Sequence, residues 1–503
     1  MSTATDTKPL KVLIVKPHLP LRVAKRLNDF LHLEPLELEI LAAAVPEGDE
    51  VRLLDLSVID KDPAGAYEGL LREYRPDVVA LSGYSNQAHL VKQFARTAKK
   101  VLPGSLVVVG GIHATIVPLD YNMPEIDVIV RGEGGSVFGG IINRFRSGEK
   151  ISDGQGILSP KDADFRERAE GDPPGYPEPS SIPKARRDLL DRSKYFSVWT
   201  HAPEGRIDTM YPSIASVRTS YGCKFNCGFC VVHYVMGKKY LERTPEDVVN
   251  EIASVPEEHI YFVDDETFLN EKRMTEVAEL LLERGINKKF VSWARADTII
   301  RRPDLFRLWK KAGLSIVYVG LEAMDEERLL KYNKKTKVDT NRKAVETLRE
   351  IGITLHAALM VDPDFTIEDF KGVERVVKEI SPAEISFTVF SPPPGTGLWD
   401  EHRANFICED PYMFYDCMHT IMPTRLDLNT FYAWFARMYR VAWSSNPLRI
   451  NKVKAPLREI FRTVVNGIRY VVAIRQINRE YSREAQARKT MEPSAAPEPA
   501  ERA

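Results

Sequence analysis

The chain has 503 residues, of which 44% are hydrophobic and 28% charged, so it falls within the range of ordinary globular proteins and has room for about three domains. Its formal net charge of −1 gives no global basic field that would favour a nucleic-acid partner. No run approaches the roughly 18 apolar residues that span a bilayer, and the first residues lack a signal-peptide pattern, so we expect a cytoplasmic protein.

Residues 8–150 alternate strand and helix patterns, which predicts a doubly wound, flavodoxin-like α/β domain. The fingerprint GxGxxG of dinucleotide sites is absent after the first strand. Glycine clusters instead follow three later strands, where a missing side chain lets the backbone approach a large planar ligand. The predicted strands are KVLIVKP (11–17), VRLLDL (51–56), VVALSGY (78–84), LVVVGG (106–111) and VIVRG (128–132), and the glycine clusters are SGYS (82–85), GGIHAT (110–115) and RGEGG (131–135).

Residues 151–212, which include the run GDPPGYPEPSSIP, are expected to form an irregular linker. A second alternating series over 213–400 predicts six βα repeats and therefore a partial barrel, with its chemistry at the carboxyl ends of the strands. Thr244 and Pro245 predict the start of one of its helices. Residues 401–485 are predicted to be helical and 486–503 disordered. The predicted barrel strands lie at 215–222, 259–266, 289–297, 315–323, 354–362 and 384–394.

Three of the chain's five cysteines lie in CKFNCGFC (223–230), directly after the first predicted barrel strand. Three thiolates at this spacing suit a zinc site completed by His233, or an iron–sulfur cluster in which one iron stays open. Clusters held by protein alone use four thiolates, so an open iron indicates that a substrate or cofactor binds there. The spacing alone allows both metals.

The pattern CxxxCxxC after the first strand of such a barrel resembles the radical S-adenosylmethionine (SAM) superfamily. This resemblance implies a [4Fe–4S] cluster on Cys223, Cys227 and Cys230, with SAM on the open iron. Asp264 is an alternative to Asp265 as a SAM contact, because adjacent strand residues face opposite ways, and one of the two could instead cap the next helix. Arg295 could instead form a salt bridge in the barrel. The implied SAM contacts are Phe229, Asp265, Arg295 and Glu322.

The glycine clusters resemble the cobalamin-binding domain that is fused to one branch of radical SAM enzymes. Many such domains carry Asp-x-His-x-x-Gly, whose histidine binds cobalt from below, whereas here Asp55 is followed by Ser57 at the histidine position. We therefore expect no imidazole on cobalt from this loop, and we expect His113 to contact the corrin edge rather than the metal. The implied cobalamin contacts are Ser82, Gly83, Ser85, Gly110, Gly111, His113, Gly132, Glu133 and Gly134.

The whole order of domains resembles the cobalamin-dependent radical SAM methyltransferases, and within them the branch that acts on hopanoid lipids. This resemblance implies methylcobalamin as a cofactor, a hydrophobic lipid substrate methylated at C-3 of a hopanoid, and an external electron donor. The alternatives are methylation at C-2, an anaerobic magnesium-protoporphyrin ester cyclase, and a cobalamin-dependent sensor with a structural cluster. A sensor has no need of an open iron, so the cysteine pattern argues against it.

The C-terminal region leaves several readings open. Cys408 and Cys417 are predicted to be small buried hydrophobic residues, with a hydrogen relay near the substrate as the alternative. The aromatic stretch 429–443 has helical spacing and is predicted to be core, although a large apolar substrate would also need such a wall. The stretch 455–479 is predicted to be either a packed surface helix or an interfacial helix at anionic lipid on the inner face of the cytoplasmic membrane. Its apolar face comprises Leu457, Ile460, Phe461, Val464, Val465, Ile468, Val471 and Val472.

Overall fold

The computed structural model describes residues 8–198, 208–237, 239–444 and 455–482, so the prediction of a disordered tail at 486–503 lies outside the described residues. The N-terminal half contains seven helices and eight strands within these ranges. In chain order they are β1 (Lys11–Lys16), α1 (Arg22–Leu27), β2 (Leu31–His32), α2 (Leu36–Ala43), β3 (Glu50–Asp55), α3 (Pro63–Tyr74), β4 (Val78–Ser82), α4 (Ala88–Val101), β5 (Leu106–Gly110), α5 (Ile112–Ile116), β6 (Val128–Val130), α6 (Phe138–Ser147), β7 (Ile157–Leu158), α7 (Phe165–Glu170) and β8 (Phe196–Ser197).

Six of these strands form one sheet in the order β3-β1-β4-β5-β6-β7. The first five are parallel and are the five strands that the sequence predicts, while β7 pairs antiparallel with β6. Hydrophobic clusters cover both faces of the sheet, which explains why its central strands are nearly continuous apolar runs. The doubly wound fold is therefore confirmed, and the glycine clusters lie at the carboxyl edge of the sheet.

The second half is a parallel sheet of six strands in the order β9-β12-β13-β14-β15-β16, and the predicted partial barrel is confirmed. The strands β9 and β16 form its two edges, so the barrel is open. Thr244 caps α9 as predicted. In chain order the elements are β9 (Ile214–Val217), β10 (Ser220–Gly222), α8 (Val232–Met236), β11 (Tyr240–Glu242), α9 (Pro245–Ser254), β12 (His259–Phe262), α10 (Glu271–Glu283), β13 (Lys289–Ala294), α11 (Ala296–Arg301), α12 (Pro303–Ala312), β14 (Leu314–Glu322), α13 (Glu326–Lys331), α14 (Val338–Ile351), β15 (Thr354–Val361), α15 (Ile367–Ile380), β16 (Glu384–Val389), α16 (Gly397–His402), α17 (Leu428–Ser444) and α18 (Leu457–Arg475).

The predicted linker is more regular than its composition indicates, because it contains β7, α7 and β8, and β8 pairs with β2. It also carries two arginines that join the halves of the molecule. Arg187 contacts the buried carboxylate of Glu34 and, at 2.6 Å, Glu251 of α9. Arg192 contacts Glu34 as well and lies 2.7 Å from Glu257. We call residues 184–198 the strap.

Replacing both Arg187 and Arg192 by alanine is expected to destabilise the protein by about 3–5 kcal/mol, because the carboxylate of Glu34 would remain buried without a cation. The measurement is the thermal unfolding midpoint. Arg186→Ala is the control, because Arg186 pairs with Asp188 on the surface and its loss should be nearly neutral. Equal midpoints for the double variant and the control would contradict this account of the strap.

The C-terminal helices pack against the outer side of the barrel. The aromatic stretch forms α17, and its prediction as core is confirmed by the burial of Phe431, Tyr432, Phe435, Met438 and Tyr439. Cys408 is half-buried and packs against the same core. The prediction that Cys417 is buried is wrong: its side chain is exposed, and its carbonyl accepts a hydrogen bond from Val389 N at 2.8 Å, at the carboxyl end of β16.

The helix α18 packs against α17 through a face other than the predicted apolar one. Asn466, Gly467, Tyr470, Ala473 and Ile474 are buried. The predicted face lies largely on the outside, where Leu457 is 84% exposed, Phe461 71% and Ile468 58%. We call its exposed members the apolar stripe: Leu457, Phe461, Val464, Ile468 and Val472. No helix in the described ranges is long and apolar enough to cross a membrane.

Candidate functional site

The cysteine loop, residues 223–230, begins where β10 ends. The short strand β10 pairs antiparallel with β11, and Gly222 has φ +83°, in the left-handed region. A Cβ at Gly222 would lie 2.2 Å from the carbonyl oxygen of Lys239, so only glycine fits this crossing. The backbone therefore turns into the loop at a position that tolerates no side chain.

The two adjacent aspartates after β12 support this turn in different ways. Asp264 is buried, and its carboxylate accepts hydrogen bonds from Thr219 N at 2.6 Å, Thr219 Oγ at 2.6 Å and Ser220 N at 3.0 Å. Asp265 accepts one hydrogen bond, from Gly222 N at 2.9 Å, and lines a cavity next to the cysteine loop. Neither caps α10, because Asn270 does so. Asp264 is thus structural, and Asp265 is placed to contact a ligand.

The cysteine loop is held from the opposite side by the segment that follows α13. Gly228 N donates to Tyr332 O at 3.0 Å, and Asn333 Nδ2 donates to Asn226 O at 2.6 Å. These bonds fix the loop backbone on both sides of the second cysteine, Cys227. The loop is therefore clamped between β11 and the segment 332–334.

Arg295 contacts the cysteine loop directly. Its guanidinium lies 3.6 Å from the centre of the Phe225 ring, and its Nη1 lies 4.0 Å from Cys227 Sγ. It also pairs with Asp297 at 2.9 Å and donates to Lys334 O at 2.9 Å. The salt bridge that the sequence left open is present. A cation beside the sulfur suits a loop that gathers thiolates and a negatively charged cluster.

The three cysteines fit an iron–sulfur cluster better than a single ion. Cys227 is buried, and burial raises the pKa of Cys223 above its usual value and that of Cys230 to about 11. Such thiols become thiolates when a metal displaces the proton. No three His, Cys, Asp or Glu side chains converge as ligands of one ion in the described ranges. A [4Fe–4S] cluster spreads its thiolates over separate irons, so this arrangement disfavours zinc with His233 but not the cluster.

Glu322, at the end of β14, pairs with a lysine that sequence reasoning missed. Lys334 Nζ donates to Glu322 Oε1 at 2.7 Å. Burial alone would lower the pKa of Lys334, but Glu322 and Cys227 raise it. Phe229 packs edge-on against Tyr332, with 6.0 Å between ring centroids, and lies 5.6 Å from Lys334 Nζ. In the sequence, Lys334 stands in the basic run KYNKKTK, which indicates only a solvated surface.

The cavity lies between the glycine clusters and the cysteine loop. The glycine-rich loops supply its lower wall, and Gly222, Asp265 and α8 supply its upper wall. Glu133 lines it with its carboxylate held by Tyr176 Oη and, at 2.9 Å, by Gly135 N. The predicted contacts that line it are Ser82, Gly83, Gly110, Gly111, Gly132, Glu133 and Gly134, and residues outside the predicted contacts include Tyr84, Tyr176 and Arg218.

Ser85 and His113 are not brought to this cavity. His113 is fully buried behind the glycine loops, and its two ring nitrogens face Ser85 Oγ and Asp120 Oδ2, each at 3.1 Å. Its ring also packs edge-on against Tyr121 and Tyr412. The predicted corrin contact of His113 is therefore corrected to a structural role, and Ser85 serves as its hydrogen-bonding partner.

The glycine wall fits a planar macrocycle, and no histidine of the described residues lines the cavity. Ser57 Oγ donates to Asp55 and lies 2.9 Å from His32 Nε2, but none of these three residues lines the cavity. We therefore expect Co(II) electron paramagnetic resonance spectra of bound cobalamin to lack nitrogen hyperfine splitting from a protein imidazole. Splitting that disappears in a His32→Phe variant, but persists in a His113→Phe control, would contradict this expectation.

The fold and the site define a class of protein in which a cobalamin domain faces a radical SAM barrel, and comparisons with known proteins agree. The radical SAM superfamily matches residues 217–377, and the B12 binding domain matches residues 28–142. The hopanoid C-3 methylase of Methylococcus capsulatus is 32% identical over 87% of this chain and 81% of its own length. An anaerobic magnesium-protoporphyrin IX monomethyl ester cyclase of Cereibacter sphaeroides is 28% identical over 66% of this chain and 54% of its own.

Solved structures share the fold. The cobalamin-dependent SAM radical enzyme OxsB, with aqua-cobalamin and SAM bound, superposes with a TM-score of 0.65 at 16% identity over 94% of this chain and 72% of its own. The radical SAM methyltransferase TsrM from Kitasatospora setae gives 0.62 at 17% identity, over 93% and 98%. The chain belongs to the cobalamin-dependent radical SAM methyltransferases. Its cofactors are a [4Fe–4S] cluster, SAM and cobalamin.

Proposed function

We propose that this enzyme methylates C-3 of a hopanoid lipid. The observation that carries the proposal is the 32% identity to a hopanoid C-3 methylase across 87% of the chain, which spans both cofactor domains. The similarity to the ester cyclase is lower and covers only about half of that protein. When bound, the cluster with SAM supplies hydrogen-atom abstraction and cobalamin supplies the methyl group, which suits an unactivated carbon that is no nucleophile.

We further propose roles for the residues around the cysteine loop. Cys223, Cys227 and Cys230 would hold the cluster, and Arg295 would balance part of its charge from beside Cys227. Asp265 would accept hydrogen bonds from the amino group of SAM. Its carboxylate lines the cavity, and within the described ranges only one of its two oxygens accepts a hydrogen bond, from Gly222 N. Glu322 and Lys334 would bind SAM as a pair, and Phe229 would pack on its adenine.

The decisive test is expression in a hopanoid-producing host that lacks 3-methyl products, with cobalamin and iron supplied and lipids profiled by mass spectrometry. We expect 3-methylhopanoids from the wild type and none from a Cys227→Ala control. In vitro, with an external electron donor, each turnover should release one 5′-deoxyadenosine and one S-adenosylhomocysteine. An enzyme that forms 5′-deoxyadenosine but gives methylation only at C-2, or no methylhopanoid, would contradict the substrate proposal.

We also propose that α18 rests on the inner face of the cytoplasmic membrane, where a triterpenoid substrate would reside. The apolar stripe is exposed along four turns of the helix, and Arg458 and Arg469 are exposed beside it. Between Arg440 and Arg475 the sequence carries eight Lys and Arg residues and only one acid, Glu459. Apolar residues bordered by cations suit an interface of anionic lipid.

Vesicle co-sedimentation tests this placement. We expect the wild type to pellet with vesicles that contain anionic lipid, less with neutral ones, and a Phe461→Glu/Ile468→Glu variant to stay in solution. A Leu330→Glu variant is the matched control, because Leu330 is an exposed apolar residue of the barrel, 82% accessible, outside α18. If wild type and variant pelleted equally, the stripe would not be the membrane contact.

A further inference from the structure

Arg218 places a cation in the wall of the cavity. It follows β9 directly, four residues before Gly222, and its side chain is half-buried. Its guanidinium lies 5.3 Å from the ring centre of Tyr221, and it makes no hydrogen bond or ion pair with any residue in the described ranges. It lines the cavity on the barrel side, opposite the glycine loops.

The acidic and phenolic groups near Arg218 make their hydrogen bonds with other residues. The carboxylate of Glu133 is held by Tyr176 and Gly135 N. The carboxylate of Asp264 accepts hydrogen bonds from Thr219 N and Ser220 N, and that of Asp265 accepts one from Gly222 N. None of these carboxylates approaches the guanidinium within ion-pair distance. Within the described ranges the five N–H donors of Arg218 therefore have no hydrogen-bond acceptor, and the side chain lines the cavity, where a ligand could supply acceptors.

A guanidinium in this position gains stability from a ligand that completes its hydrogen bonds. Removing a charged donor from bulk water without a partner destabilises the folded protein, and the nearby ring of Tyr221 compensates only in part. Hydrogen bonds from a charged donor contribute more to binding affinity than hydrogen bonds between neutral groups. When two parallel N–H groups of an arginine bind one acceptor group, they also fix the orientation of that group. Burial alone would lower the pKa of Arg218, but Tyr176 and Asp265 raise it, so the side chain stays charged at the cavity wall and can donate to a ligand there.

We propose that Arg218 positions cobalamin from the barrel side by donating hydrogen bonds to acceptor oxygens of the corrinoid. Two parts of cobalamin offer such oxygens: the amide side chains at the corrin edge and the phosphate of the nucleotide loop. The glycine loops would support one face of the macrocycle, and Arg218 would fix its orientation relative to the cysteine loop. The inference rests on cobalamin binding in this cavity and adds a contact from the second domain.

The test compares Arg218→Gln and Arg218→Lys with the wild type in corrinoid titrations followed by absorbance. The probes are hydroxocobalamin and cobinamide, which lacks the nucleotide loop and its phosphate. We expect Arg218→Gln to weaken cobalamin binding by about 10–100-fold, as for a lost hydrogen bond to a charged group, and Arg218→Lys to weaken it less. Equal weakening for both probes assigns the contact to the corrin amides, and weakening for cobalamin alone assigns it to the phosphate.

Two further readouts separate positioning from folding. The unfolding midpoint of the cobalamin-free Arg218→Gln variant should stay close to that of the wild type, because Arg218 makes no hydrogen bond or ion pair within the described ranges that the variant would lose. Its iron content should be unchanged. The matched control is Arg342→Gln, since Arg342 pairs with Glu379 on the exposed surface of the barrel. If the wild type binds both corrinoids and Arg218→Gln binds them equally well, the inference fails; if the wild type binds neither, the cofactor assignment itself fails.

Discussion

Each of the single substitutions Cys223→Ala, Cys227→Ala and Cys230→Ala should abolish the cluster and with it all cleavage of SAM. A [4Fe–4S] cluster that has lost one of three thiolates has two open irons and no fourth protein ligand to replace it. Anaerobically reconstituted wild type should contain about four irons per chain and little zinc, as measured by elemental analysis and by the visible absorbance of the cluster.

The control for these variants is Cys408→Ala, which removes a thiol packed against the core and should leave the iron content intact. Stoichiometric zinc in the wild type, with no iron after reconstitution, would refute the cluster. Full iron content in any of the three loop variants would refute the assignment of that cysteine as a ligand.

Gly222→Ala is expected to have the second-largest effect. The new Cβ would meet the carbonyl oxygen of Lys239 at 2.2 Å and would also stand at φ +83°, so the crossing of β10 and β11 would have to shift. Overpacking of this kind costs about 1–3 kcal/mol, to which the unfavourable backbone conformation adds roughly 1 kcal/mol. Because Cys223 is the next residue, we expect most of the iron to be lost.

The matched control is Gly237→Ala. Gly237 has φ +56° but no heavy atom within 4 Å of an added Cβ, so this variant carries the backbone strain without the clash. It should lower the unfolding midpoint slightly and keep the cluster. Equal loss of iron from both variants would show that conformational strain alone, and not the approach of Lys239, governs the loop.

Local patterns in the sequence predict the frame of this molecule because they follow directly from burial. Parallel strands covered on both faces must be apolar runs, so the eleven predicted strands could be placed before their partners were known. The start of α9 is likewise encoded locally, because Thr244 caps the helix and Pro245 is its first residue. The cysteine spacing is equally local, which explains why the cysteine loop was found.

Contacts between distant segments could not be predicted in this way. Lys334 is a surface-like residue in sequence, and it reaches Glu322 beside the cysteine loop only because the chain turns back to this loop after α13. His113 stands in a glycine cluster, yet the short helix α5 turns its ring inward to Asp120. The face of α18 that packs was not predicted, because Asn466 and Gly467 are poor indicators of burial, whereas Gly467 is needed where the Trp443 ring crosses.

The strap also bears on how the cobalamin domain can be transplanted. A fragment that ended at residue 150 would lose β7 from the edge of its sheet and β8 from its pairing with β2. It would also keep Glu34 without Arg187 and Arg192, the two cations that its carboxylate contacts. Chimeras between family members should therefore exchange residues 8–198 as one module and retain the acidic partners Glu251 and Glu257 in the recipient barrel.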